Sequence, residues 1–330
     1  MAAAKKTAMK KKTSAKRSKP TKMQPAVRYL RYELTNSATP GTETSHYIDL
    51  ARDLSRLNRR LYRQGRDYHV KRITVVSANT PNAGDPGSTE NNRISFSTAP
   101  SSWVTQQAWS RGFKIFKQMN DKATVAVGNS ILPKFHDFKV YLSSDMRTGT
   151  VLTPKDNGGN NAAGGDWDYS KLVSPDGTTS ADSFDLHLLG AHTGAGVGNH
   201  TSIGLVQSYG EARTTVSTFQ PNAPSTVSDD PLVNLFDDGT IVDEIIDNLE
   251  VANDSAPYST TDYPGDNTNM AKPLVVQDTC IVDGRATVGG FNAMCGLIEI
   301  EAKSPVASDV YSVLVELAPG KYRGIKAELI

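Results

Sequence analysis

Nine lysines and arginines stand within eighteen residues near the start of the chain: Lys5, Lys6, Lys10, Lys11, Lys12, Lys16, Arg17, Lys19 and Lys22, with no acidic residue before Glu33. At that density, ammonium and guanidinium groups neutralise anionic oxygen, phosphate above all, and release the counterions condensed around a nucleic acid. The residues between them are mostly Ala, Ser, Thr and Pro, which bury too little apolar surface to order themselves. Residues 1–25 therefore read as a disordered basic arm. Three roles fit such an arm: binding nucleic acid, import signalling through KKK followed by KR, or solubilisation. A secretory signal fits less well, because no apolar run follows the charges.

A second cationic set lies in SHYIDLARDLSRLNRRLYRQG. Leu50, Leu54, Leu57 and Leu61 recur at helical spacing, and Gly65 stands where a helix stop belongs. Arg52, Arg56, Arg59 and Arg63 form a second stripe on that helix, with Arg60 and Arg66 nearby and only Asp49 and Asp53 to oppose them. Two readings stand side by side, a solvated polar face and a face that contacts phosphate.

Other chemistry is thinly supported. The six histidines (His46, His69, His136, His187, His192, His200) match no ligand spacing, and there is no HExxH, P-loop or GxSxG. GAGVG at Gly194–Gly198 lacks the strand–turn–helix context of a dinucleotide site. Asp156, Asp166 and Asp168 sit in a Gly/Asn-rich loop whose oxygens suit a hard cation such as Ca²⁺, as do the pairs Asp229-Asp230 and Asp237-Asp238 between subunits; none has EF-hand spacing. No nucleophile, base and orienting group assemble, so the chain reads as non-enzymatic and without a cofactor, structural Ca²⁺ aside.

The elements that must carry these residues follow from charge and pattern. Eleven of the 36 basic residues lie at or before Arg31, so 25 remain to face all 35 acidic residues, and a body near −10 carries an arm near +11. Eleven acidic residues and no Lys or Arg lie between Thr214 and Ala271, a stretch that repels nucleic acid. Cys280 and Cys295 suit a reducing compartment and read as buried free thiols. No apolar run approaches the ~20 residues of a membrane span.

Alternating or apolar runs predict strands at Ala26–Asn36, Tyr68–Ala78, Arg93–Ser97, Phe135–Ser143, Ser183–Leu189, Ile203–Tyr209, Leu274–Val282, Gly296–Ala302, Val310–Leu317 and Arg323–Leu329. The last two, joined by APGK, read as a hairpin. A second helix is expected from Ser101 or Ser102 onward, with Trp109, Phe113, Phe116 and Asn120 on one face. There the aromatics serve as core more readily than as stacking platforms. A third is expected at Thr240–Leu249. The connections over Asp145–Lys171 and Ser217–Asp230 read as long loops. The fold class is all-β, a single jelly-roll antiparallel sandwich over residues 26–330 with helical insertions and long surface loops at about 145–171 and 214–271.

This layout, the arm AKKTAMKKKTSAKRSKPTK ahead of a many-stranded body of about 300 residues, resembles the coat protein of a small icosahedral virus. The helix with Trp109 and Phe113 between early strands makes it most similar to capsid proteins of circular single-stranded DNA viruses. The resemblance implies a homo-oligomeric shell of sixty copies or a multiple. It also implies viral nucleic acid held without sequence readout, a host receptor, no membrane partner, and residence in the virion and the host nucleus. Two alternatives are a non-enzymatic nucleic-acid-binding β-sandwich module and a carbohydrate-binding β-sandwich.

Overall fold

A computed structural model describes residues 24–77, 92–126, 135–173, 183–194, 200–214, 273–281 and 283–330. The chain begins with β1 (Tyr29–Thr35), β2 (Thr44–Asp49), α1 (Leu50–Asn58), β3 (Arg66–Ser77), β4 (Arg93–Thr98) and α2 (Trp103–Ala126). It continues with β5 (Tyr141–Ser143), α3 (Ser144–Thr148), β6 (Thr150–Val151), β7 (Lys171–Val173), β8 (Ser183–Leu189), β9 (Thr193–Gly194), β10 (His200–Gly204) and α4 (Leu205–Thr214). Next come β11 (Leu274–Cys280), β12 (Arg285–Val288), β13 (Phe291–Ala293) and β14 (Leu297–Lys303). The last elements are β15 (Val310–Leu317), β16 (Pro319–Gly320), β17 (Gly324–Ile325) and β18 (Ala327–Leu329).

Alternation in the sequence becomes a two-layer sandwich. One sheet has the order β1-β15-β3-β12, with β13 and β18 also paired to β3; the facing sheet runs β11-β4-β14-β2-β6. Every second residue of β1 (Leu30, Tyr32, Leu34) and β15 (Tyr311, Val313, Val315) turns inward with Ile73 and Val75 of β3, against Ile94, Phe96, Ile298 and Ile300 of the other sheet. Each of these is at most 2% exposed and contributes about 1.5–3 kcal/mol of burial. Four long-range pairings, β1 with β15, β2 with β14, β3 with β12 and β4 with β11, are all antiparallel.

The period of two breaks once in β3. Glu316 pairs with Arg72 and Leu317 with Val70, which leaves Lys71 as the extra residue of a bulge. Lys71 and Arg72 consequently both point outward, and both reach the Glu316 carboxylate, at 2.6 and 2.8 Å. On the opposite edge of β3, β12 and β13 are separated at this height. A Cβ on Gly290 would lie 3.0 Å from the Lys71 carbonyl oxygen, so any side chain there would push the two backbones apart by a few tenths of an ångström.

A second core lies outside the sandwich. A third sheet (β5-β8-β10-β9, with β7 on β8) and α2 enclose Trp109, Phe116, Phe138, Leu186 and Leu188 together with Tyr47 of β2. The expected α2 face is thus core. Its start is Ser102, whose hydroxyl accepts from the Thr105 N–H at 3.2 Å.

Several expectations change. The first helix ends at Asn58, not Gly65, because Arg59 turns into the left-handed region (φ 54°) and Tyr62 enters the core, its N–H donating to Ser55 Oγ at 2.8 Å. Residues 203–209 are not one strand: β10 stops at Gly204 and α4 begins at Leu205. Of Phe135–Ser143 only β5 is extended in a sheet, and the 145–171 connection carries α3 and β6. The terminal hairpin is confined to β16 and β17, with Pro319 opposite Ile325; β15 itself pairs with β1 and β3, and β18 with β3. Cys295 is buried but Cys280 is exposed. Residues 1–23, the Ser217–Asp230 loop, the Thr240–Leu249 helix, the paired aspartates at 229–230 and 237–238, and all of GAGVG but Gly194 lie outside the described residues. Among the described residues no helix is long and apolar enough to cross a membrane.

Candidate nucleic-acid interface

The arginine stripe divides by burial. Asp49 caps α1, its Oδ1 accepting from the Arg52 N–H at 3.0 Å, and this sets the rotation of the helix. Arg52 then faces inward. It is 8% exposed, its Nε donates to Asp53 Oδ1 at 2.9 Å, and its Nη2 donates to the Leu152 carbonyl. Burial alone would lower the guanidinium's pKa, but the Asp53 and Asp49 carboxylates outweigh that and raise it. Burial pushes Asp53 up to about 6 against the pull of Arg52, and its other oxygen accepts from Tyr32 Oη at 2.7 Å. Arg52 is therefore an internal ion pair, and the phosphate-contact reading is corrected for this residue.

The other three arginines reach the surface by different routes. Arg56 is half-buried; its Nη1 donates to Thr153 Oγ1 at 3.4 Å, and its Nε is buried without a hydrogen-bond partner. Burial, then the neighbouring Arg52, lowers its pKa. Gly164 lies flat against this guanidinium, where a Cβ would sit 2.6 Å from Nε. Arg59, in its left-handed cap position, is exposed. Arg63 follows the helix end, is exposed, and lies 3.8 Å from Asp137 Oδ2. Among the described residues, no carboxylate stands within ion-pair distance of Arg56, Arg59 or Arg60.

These side chains border a hollow of about 380 Å³. Arg52, Arg56, Arg59, Arg60 and Lys139 supply its cations, Asp166 its one acid, and Leu61 and Trp167 apolar surface. Trp167 is held in place from behind: its Nε1–H donates to Asp49 Oδ2 at 3.0 Å, and the same oxygen accepts from Gln64 Nε2 (2.8 Å) and Tyr169 Oη (3.2 Å). The Lys139 ammonium sits 4.3 Å from the Trp167 ring centroid, and burial lowers its pKa. A second hollow of about 480 Å³ begins at Arg63 and takes in Arg66, Lys114 and Lys117 beside Trp109 and Phe113.

The arm enters this surface. Asn58, the last residue of α1, clamps Val27 on both sides: its Oδ1 accepts from the Val27 N–H at 2.7 Å and its Nδ2 donates to the Val27 carbonyl at 3.2 Å. Arg60 Nη1 donates to Gln24 Oε1 at 3.2 Å. The chain that leads to Lys22, Lys19 and the earlier lysines therefore meets the fold at the rim of the arginine hollow.

Sequence reading missed Lys139 and Trp167, which are 28 positions apart and meet only in the fold. The signal for Trp167 was its presence in the polar stretch KDNGGNNAAGGDWD, where a large ring needs a partner to be retained. Among the described residues no group of three His, Cys, Asp or Glu side chains could hold a metal ion. Asp156 Oδ1 accepts from the Gly158 and Asn160 N–H groups at 2.8 and 2.9 Å, closing a turn. No family model, characterised protein or solved structure matches this chain.

Proposed function

We propose that this chain is a coat protein that assembles into an icosahedral shell and holds a nucleic-acid genome through its basic arm. The observation that carries this reading is the shared location of two cationic features. The arm root at Gln24–Val27 is bound to the end of α1, beside Arg56, Arg59 and Arg60. A polycationic arm and a fixed arginine surface then act on one phosphate backbone from one side of the protein, as a lumenal face requires.

Strand order supports a jelly roll beneath that face. Counting only the eight principal strands, one sheet runs first-eighth-third-sixth (β1, β15, β3, β12) and the other fifth-fourth-seventh-second (β11, β4, β14, β2). First pairs with eighth, second with seventh, third with sixth and fourth with fifth, as when one long antiparallel ribbon is rolled up. Such a domain tiles through its edges and ends, and its insertions (α1, α2 and the third sheet) decorate connections. In this reading the chain resides in the virion, and the KKK and KR clusters direct it to the nucleus during assembly.

Negative-stain electron microscopy of the purified chain tests the shell. Closed particles of uniform diameter are expected, and a protein that remains monomeric at high concentration near neutral pH overturns the proposal. A small discrete oligomer that binds nucleic acid outside any particle would point to a binding module.

A further inference from the structure

We propose that the hollow beside α1 takes one unpaired nucleotide, with its base against Trp167 and its phosphate on Arg59 and Arg60. This rests on the nucleic-acid reading above and specifies its ligand: single strand over duplex. Three features of the hollow carry it. Its volume of about 380 Å³ is the size of a small-molecule site and too narrow for a double helix, whose bases are stacked inside and cannot enter. Its wall holds an aromatic ring fixed by the Asp49 hydrogen bond at 3.0 Å, so the ring is oriented before any ligand arrives. That ring already serves as a π-face for a cation, the Lys139 ammonium at 4.3 Å. An incoming base takes the same face and releases the ammonium toward the phosphate.

The cations are graded by depth. Arg59 and Arg60 are exposed at the rim, where a strand's backbone passes. Arg56 lies deeper and half-buried, its Nε packed against Gly164 and its Nη1 on Thr153 Oγ1 at 3.4 Å, so it supplies fixed positive charge behind the base. Gly164 lets the backbone at 163–165 pack directly on that guanidinium, where a Cβ would lie 2.6 Å from Nε, and this fixes Arg56 in the wall. Stacking with backbone neutralisation is tolerant of sequence, which suits a protein that must cover a genome without fixed register.

The test uses the full-length protein, a fluorescent oligothymidylate and a duplex of the same length, each titrated across a salt series. The wild type is expected to bind the single strand about tenfold more tightly than the duplex at equal salt, with quenching of tryptophan fluorescence. Trp167→Leu should remove the preference and the quenching. Arg59→Gln, at an exposed position, should weaken single-strand binding several-fold with an unchanged melting temperature. Photocross-linking of an iodouracil-containing strand to the unmutated protein, which avoids any folding defect, should label the peptide containing Trp167. Equal affinity for both probes, or cross-links confined to residues 1–23, overturns the nucleotide site and leaves the arm's role intact. Failure to bind either probe overturns the underlying nucleic-acid reading as well.

Discussion

Arg52 and Arg56 stand one helical turn apart and do opposite work. Arg52 neutralises a buried pair of carboxylates, so Arg52→Met leaves Asp53 and Asp49 uncompensated and should cost about 3–5 kcal/mol in urea denaturation. Arg56→Gln should change stability by less than about 1 kcal/mol and lower oligonucleotide affinity. Arg59 bears strain for its position, since a non-glycine residue at φ 54° costs about 1 kcal/mol. Arg59→Gly should therefore raise the melting temperature while weakening binding, a trade measurable by calorimetry and anisotropy on one preparation. His187 gives a pH signature. Its Nε2 lies 3.0 Å from the Ala191 carbonyl, which can only accept, so Nε2 carries the proton and Nδ1 accepts from Ser202 Oγ at 2.6 Å. Burial pushes its pKa down to about 4 from an ordinary 6.5. The unfolded chain takes up this proton first as pH falls, so the stability from neutral His187 is complete above pH 6.5 and drains away toward pH 4. Asp53, raised to about 6, gains stability over the same range, so the test is the difference: between pH 7 and pH 5 the wild type's urea midpoint should drop relative to that of His187→Gln.

At the scale of elements, the reason for Gly65 differs from the one its sequence position suggests. It does not stop α1, which ends seven residues earlier; a Cβ there would lie 2.7 Å from the Trp109 ring. Glycine lets α2 lie against the start of β3, and Trp109 is locked behind it by Phe113 and Phe138 at ring separations of 5.3 and 5.5 Å. Gly65→Ala should destabilise by about 1–3 kcal/mol through overpacking, seen as a lower urea midpoint with an unchanged slope. The aromatic period of α2 was legible because Trp109, Phe113 and Phe116 recur along one face. The end of α1 was not, because the leucine spacing runs past Asn58 while the chain turns to place Tyr62 in the core.

The whole molecule separates charge between a lysine-rich start and an acidic body, and the fold sets where the two meet. In the proposed shell, deleting residues 1–23 should leave particles intact in the microscope while reducing co-purified nucleic acid, read from the ratio of absorbance at the base and protein maxima. It should also flatten the dependence of log affinity on log salt by about 0.7–0.9 for each phosphate that the arm no longer neutralises. Disappearance of particles on deletion would instead make the arm a scaffold of the shell.

Composition and period alone determined that the chain is a β-rich sandwich with a polycationic arm, because alternation of apolar residues and a run of lysines are local properties that any fold must respect. Ser183–Leu189 and Val310–Leu317 were placed to the residue in this way. Only the tertiary structure decided which arginines are free. The inward turn of Arg52 depends on Asp53, Leu152 and the cap at Asp49, and Lys139, just ahead of β5, meets Trp167 where the 163–167 segment packs on Arg56 of α1. Arg52 with Leu152 and Lys139 with Trp167 join positions tens of residues apart, where side-chain type carries no record of neighbours, so the cationic hollow they help build appears only once the sheets have closed.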